Sequence, residues 1–126
     1  MKQKLKVLYV DDESINTTLF KINFKKIFDV VLSPSGDEAL RQLEEDQDVD
    51  VVVSDFKMPG INGVEFIREA NRKFGTRPSI ILTGFDTNQD IEEAIETGEV
   101  AALIHKPIIK ERVIETILHC HKSFEN

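Results

Sequence analysis

The sequence has a single cysteine, Cys120, among 126 residues. One thiol excludes an internal disulfide framework and any metal site built from several cysteines. No stretch approaches the ~20 consecutive apolar residues that cross a bilayer. Residues Met1 to Lys6 alternate lysine with other residues and run straight into an apolar segment. They have neither the apolar h-region nor the small-residue cleavage site of a secretory signal. No internal repeat, low-complexity tract or linker rich in proline, glycine and serine interrupts the chain. No GxxxxGK loop is present, which excludes P-loop nucleotide hydrolysis. Basic residues are the minority, 16 Lys and Arg against 23 Asp and Glu, for a net charge of −7. That balance lacks the concentrated positive charge that displaces counterions from nucleic acid. These absences lead to the expectation of one cytoplasmic domain over residues 1–126, with no second domain, no membrane span and no direct nucleic-acid contact.

What is present is alternation. Short β-branched runs, Lys6–Val10, Val30–Leu32, Val51–Val53, Ile80–Leu82 and Ala101–Ile104, alternate with stretches of helical period. Three of the runs are almost continuously apolar, as parallel strands covered on both faces are. Segment 14–28 carries Ile15, Leu19, Phe20, Phe24, Ile27 and Phe28 at spacings of three and four. Ser35 with Glu38 reads as a capping box, followed inward by Ala39, Leu40 and Leu43. Asn62 with Glu65 signals a similar start before Val64, Ile67, Ala70 and Phe74. Thr87 with Asp90 opens a helix carrying Ile91, Ala94 and Ile95, and Gly98 is placed to end it. Ile109, Val113, Ile114, Ile117 and Leu118 mark the last amphipathic helix. Five strand–helix units with short connections predict an open, doubly wound α/β sandwich of three layers. A closed eightfold barrel needs about twice this length.

In such a sheet, chemistry gathers beyond the carboxyl ends of the strands. The first run is followed by Asp11, Asp12 and Glu13, the third by Asp55, the fourth by Thr83 and Gly84, and the fifth by Lys106 and Pro107. The second ends in Ser33 and Pro34 and contributes no obvious group. Singly, each residue has an ordinary structural use: a cap, a turn or a solvated loop residue. Together they place three carboxylates, a hydroxyl and an ammonium at one edge. Crowded carboxylates resist ionisation unless a cation enters. One lysine does not balance three of them. A hard divalent ion with oxygen ligands does, and Mg²⁺ suits a site with few protein ligands. Mg²⁺ in turn favours a phosphoryl ligand, which Lys106 and Thr83 are placed to contact. A carboxylate can itself be the nucleophile and become an aspartyl phosphate.

These residues carry a resemblance. VLYVDDE (7–13), VVVSDFKMPGINGVEF (51–66), IILTGF (80–85) and HKP (105–107), in this order and spacing, resemble the receiver domain of two-component response regulators from end to end. The resemblance implies a flavodoxin-like (βα)5 fold of strand order 2-1-3-4-5, with no output domain in this chain. It implies Asp55 as phosphoacceptor, and Asp11, Asp12, Asp55 and the backbone carbonyl of Lys57 as the Mg²⁺ site. By the same resemblance Asp12 is expected to be the direct ligand of the acidic pair and Asp11 to act through water. Thr83 matches the switch hydroxyl and Lys106 the phosphoryl-binding lysine, with a cis Lys106–Pro107 bond. The implied function is a phosphoacceptor switch that takes its phosphoryl group from a histidine kinase or phosphotransfer protein. It then changes the face made by the fourth helix, fifth strand and fifth helix, and so its binding to a downstream protein or to a second copy as a homodimer.

One position departs from the family pattern. Receivers usually carry an aromatic residue three before the lysine, and here it is Leu103. Leu103 reads either as a leucine-based switch position or as a strand residue that packs. It is also the feature that favours an alternative, a receiver-like interaction module that works without phosphorylation. A third possibility, a phosphatase of the haloacid-dehalogenase kind, needs a second aspartate two residues after the nucleophile. That position is Lys57, so no turnover enzyme is expected. The Lys57 side chain reads as slowing hydrolysis, as an ion-pair partner, or as solvated. His105 is expected to face away from the cleft. His119 and His121 diverge by about 200° on a helix, too far to share a metal. Cys120 between them reads as a packing or surface residue. Phe85 is placed to cover the mouth of the site. Arg68, Arg72, Lys73 and Arg77 read as a solvated basic face.

Overall fold

The computed structural model describes residues 4–84 and 88–125. The chain order is β1 (Lys6–Val10), α1 (Ser14–Phe24), β2 (Asp29–Ser33), α2 (Gly36–Glu45), β3 (Val51–Asp55), α3 (Gly63–Phe74), β4 (Ser79–Thr83), α4 (Gln89–Glu96), β5 (Ala102–His105) and α5 (Lys110–Glu125). All strand pairs are parallel and the sheet order is β2-β1-β3-β4-β5. This is the expected doubly wound, three-layer α/β sandwich.

Strand alternation sorts the core into two halves. Val7, Tyr9, Val51, Val53, Ile80, Leu82 and Ile104 pack with Phe20, Phe24 and Phe28, and with Val113, Ile117 and Cys120 of α5. Leu8, Val10, Val52 and Ile81 point to the other face and pack with Ala39, Leu43, Val64, Phe66, Ile67, Ile91 and Ala94. So α1 and α5 cover one face and α2, α3 and α4 the other. β3 and β4 are buried along their whole length, which is why they read as unbroken apolar runs.

Some elements differ from their sequence reading. α1 stops at Phe24, and Phe28 enters the core from the following turn. Ile15 and Leu19 face outward, because the face that meets the sheet is centred on Phe20 and Phe24. α5 continues beyond the expected stretch, to Glu125, with Val113, Ile117 and Cys120 on its inner stripe. Ile109 precedes its first turn and Leu118 lies on the outer side, so both are exposed. Ser35 caps α2, accepting from the Glu38 amide at 3.1 Å, but the Glu38 carboxylate pairs with Arg41 rather than closing the box. Asn62 and Glu65 do form the reciprocal box at α3. α4 is capped by Asn88, whose side chain accepts from the Ile91 amide at 3.0 Å, one residue later than expected. Thr87 and Phe85 lie outside the described residues. Gly98 follows α4 with φ +84°, a conformation natural to glycine.

Candidate functional site

The polar groups meet at one edge because the sheet is parallel and in register. The ladder extends one residue past the strands. The Asp11 amide donates to the Ser33 carbonyl (3.1 Å), Phe56 to Leu82 (2.9 Å) and Lys106 to Thr83 (2.8 Å). Asp55 and Thr83 are the last residues of β3 and β4 and are buried. Lys106 follows β5 and its peptide bond to Pro107 is cis. The connection after β3 is fixed by the Gly63 amide, which donates to the Phe56 carbonyl at 2.8 Å. A β-carbon at Gly63 would stand 2.5 Å from the Asp55 carbonyl oxygen, so α3 reaches this close only with glycine there.

Asp11, Asp12 and Asp55 each bring a carboxylate oxygen to within 4.8 Å of the others. Asp11 is buried and Asp12 exposed. Lys106 Nζ lies 3.1 Å from Asp55 Oδ1. Burial is the largest influence on the Asp55 carboxyl and pushes it above its ordinary pKa; Lys106 pulls it down, and Asp11 and Asp12 push it up. One ammonium therefore leaves the trio short of positive charge. Asp11 accepts three hydrogen bonds: from the Tyr9 hydroxyl (2.8 Å), from Asn16 Nδ2 (3.1 Å) and from the Glu13 amide (3.0 Å). Beside the trio, Glu13, Asp55, Phe56, Lys57, Thr83, Gly84, Asn88 and Lys106 line a cleft of 510 Å³. Hard oxygen donors gathered round an open cleft fit a small divalent cation.

Asp11, Asp12, Asp55, Thr83 and Lys106 thus come together at one edge, and Lys57 joins them as an exposed residue of the cleft wall. Leu103 does not line the cleft; it is partly buried and packs with the core on the α2–α3–α4 side. His105 is exposed at the end of β5. Cys120 is buried in the core, which raises its thiol pKa, and His119 beside it is exposed. The basic residues near α3 are largely occupied: Arg68 with Glu99, Arg72 and Lys73 with Glu69, and Arg77 on backbone carbonyls. Tyr9, Asn16 and Asn88 were not legible as site residues. Strand alternation, which puts Tyr9 on the same side of β1 as Asp11, is the signal that finds the first. Asn16 is five residues from Asp11, and only the fold of α1 brings it back.

The geometry agrees with comparison to known proteins. The profile of the family described as response regulator receiver domain matches residues 7–118. The chain belongs to that family. It is 32% identical over 111 residues to the hydrogenase transcriptional regulatory protein HoxA of Cupriavidus necator, covering 88% of this chain and 23% of HoxA. It therefore spans less than a quarter of that relative. A chemotaxis protein CheY homolog of Campylobacter jejuni is 29% identical over 121 residues, covering 90% of this chain and 92% of its own length. Among solved structures, the adenylate cyclase from Rhodopirellula baltica superposes with a TM-score of 0.87 at 29% identity, over 97% of this chain and 90% of that one. As a receiver domain, the chain is a phosphoacceptor signalling switch of two-component systems. Receiver domains interact with histidine kinases or phosphotransfer proteins and are not substrate-turnover enzymes. Among the described residues no helix is long and apolar enough to cross a membrane.

Proposed function

We propose that Asp55 is the phosphoacceptor of this receiver domain, acting in the cytoplasm. The observation that carries this reading is the Lys106–Asp55 contact of 3.1 Å beside two further carboxylates. An Asp55 oxygen attacks the phosphorus of a phosphohistidine presented by a kinase or phosphotransfer protein. The P–N bond breaks and imidazole leaves with its electron pair. Lys106, already paired with Asp55, is placed to follow the negative charge onto the phosphoryl oxygens. Thr83, at the end of the neighbouring strand, donates its hydroxyl to one of those oxygens. Asp11, Asp12, Asp55 and the Lys57 carbonyl would hold Mg²⁺, which when bound supplies positive charge against the phosphoryl group. Engagement of Thr83 then alters the α4–β5–α5 face, where a downstream protein or a second copy binds. Leu103 lies on the α4 side of β5, within reach of that change by packing rather than by ring rotation.

The test is intact mass after incubation with Mg²⁺ and acetyl phosphate, with Asp55→Asn alongside. One added phosphoryl group, absent in Asp55→Asn and in the presence of EDTA, is the expected result. No mass gain in a protein that binds Mg²⁺, with product hydrolysis excluded by rapid quenching, overturns the acceptor role. That outcome would leave an interaction module that works without phosphorylation.

A further inference from the structure

The acidic trio is not held by its own loops alone. Asp11 Oδ2 accepts from the Tyr9 hydroxyl at 2.8 Å and from Asn16 Nδ2 at 3.1 Å, while Oδ1 accepts from the Glu13 amide at 3.0 Å. The three donors differ in how firmly they are fixed. Asn16 sits half-exposed on the first turn of α1, and the Glu13 amide belongs to an exposed loop residue. Tyr9 is on β1, between β2 and β3, and 1% exposed. Its ring stacks on Phe20 with centroids 4.0 Å apart and an interplanar angle of 7°, and Phe20 in turn leans on Phe24 at 4.5 Å. The phenol oxygen therefore cannot swing away without breaking that column. It offers its proton to a carboxylate from a fixed point.

We propose that Tyr9 is a positioning residue for the cation site: its hydroxyl fixes the orientation of the Asp11 carboxylate and so sets divalent-cation affinity. The inference rests on the reading that Asp11, Asp12 and Asp55 hold Mg²⁺. A hydrogen bond from behind orients a carboxylate that holds the metal, directly or through a bound water, and losing such a partner typically weakens metal affinity 10–100-fold. The sequence makes the idea testable without a label. Tyr9 is the one tyrosine and there is no tryptophan, so tyrosine emission reports on this side chain alone. A carboxylate that accepts from a phenol quenches it, and a cation drawing on the same carboxylate relieves the quenching.

The experiment is Mg²⁺ titration of wild type and Tyr9→Phe by calorimetry, with tyrosine emission of wild type followed in parallel. Phenylalanine keeps the ring in the stack and removes only the donor. The expected result is about tenfold weaker Mg²⁺ binding in Tyr9→Phe. The thermal shift conferred by Mg²⁺ should shrink in step. Wild-type emission should rise with Mg²⁺ and saturate at the calorimetric Kd, and Asp11→Asn should abolish that rise. Equal affinities in wild type and a folded Tyr9→Phe overturn the positioning role and leave the Mg²⁺ reading intact. If Tyr9→Phe does not fold, emission of wild type decides, and a flat signal during calorimetrically proven binding overturns the role. Absence of Mg²⁺ binding by wild type overturns the Mg²⁺ reading and this inference together.

Discussion

Helices α1 and α3 stand on opposite faces of the sheet, and each anchors one half of the acidic cleft by different physics. α1 carries no side-chain bond at its N-cap, Glu13, and buries two side chains, Phe20 and Phe24. Ile15, Leu19 and Ile22 on its outer side are 71%, 51% and 58% exposed, so much of its apolar content does not hold it to the sheet. Its apolar hold is one aromatic column running Tyr9, Phe20, Phe24, Phe28, and its first turn adds the Asn16–Asp11 hydrogen bond. α3 is fixed along its length. It has a complete capping box, buries Gly63, Val64, Phe66, Ile67 and Ala70, and pairs Arg68, Arg72 and Lys73 on its outer side. The difference bears directly on the site. The α1 column ends on Asp11 through Tyr9, while the first turn of α3 presses against the carbonyl of Asp55. One wall of the cleft depends on a few large contacts and the other on many small ones.

The sharpest way to break this contrast is to cut the column. Phe24→Ala removes a side chain that is 1% exposed and in tilted ring contact with Phe20 on one side and Phe28 on the other. Large-to-small changes of this kind cost about 3–5 kcal/mol, because the cavity adds to the lost transfer energy. Urea unfolding should show that loss at an unchanged m-value. A loss below about 1 kcal/mol would mean that α1 is held by something other than the column. On the α3 side, Gly63→Ala tests close approach against helix propensity. Propensity favours alanine by up to about 1 kcal/mol, the helix-interior figure, and Gly63 is the first residue of α3. The added methyl, however, would stand 2.5 Å from the Asp55 carbonyl oxygen and 2.8 Å from Ile81 Cδ1. Backbone cannot give way as a side-chain tip can, so overpacking of about 1–3 kcal/mol should win and the variant should unfold at lower urea. A stabilised Gly63→Ala would show that the first turn of α3 is free to shift, and that Asp55 does not depend on it.

The sequence made the sheet legible because parallel strands covered on both faces need apolar residues at every position, as in Val51–Val53 and Ile80–Leu82. The polar groups of the site were legible for a related reason. A charged residue directly after such a run has only the sheet edge to occupy, and that edge is where Asp11, Asp55, Thr83 and Lys106 stand. What did not show was the inward face of α1. Its apolar residues occur on more than one side, and only contact with the sheet selects Phe20 and Phe24 over Ile15 and Leu19. Asn88 as the cap of α4 was hidden beside Thr87, because adjacent cap-forming residues offer the same signal. Tyr9 was hidden by being apolar in all but one atom. A phenol in a strand reads as core, and strand alternation, which sets it on the same side as Asp11, is the one local hint that its oxygen meets that carboxylate.

The smallest effect sharpens the comparison rather than breaking it. The Asn62 side chain accepts from the Glu65 amide at 2.9 Å, and the Glu65 carboxylate accepts from the Asn62 amide at 2.8 Å. Asn62→Ala removes one of these bonds and leaves an amide of the first turn of α3 to water. Loss of a cap costs about 1 kcal/mol. If α3 is held by many modest contacts, that cost should appear in urea unfolding as a simple additive loss. Combined with Phe24→Ala, on the other face of the sheet, the two losses should sum to within about 0.5 kcal/mol, as separate sites do. A larger discrepancy would mean that the two walls of the cleft are coupled through the sheet. The α1 column and the α3 cap would then act as one support for the acidic trio, not as two.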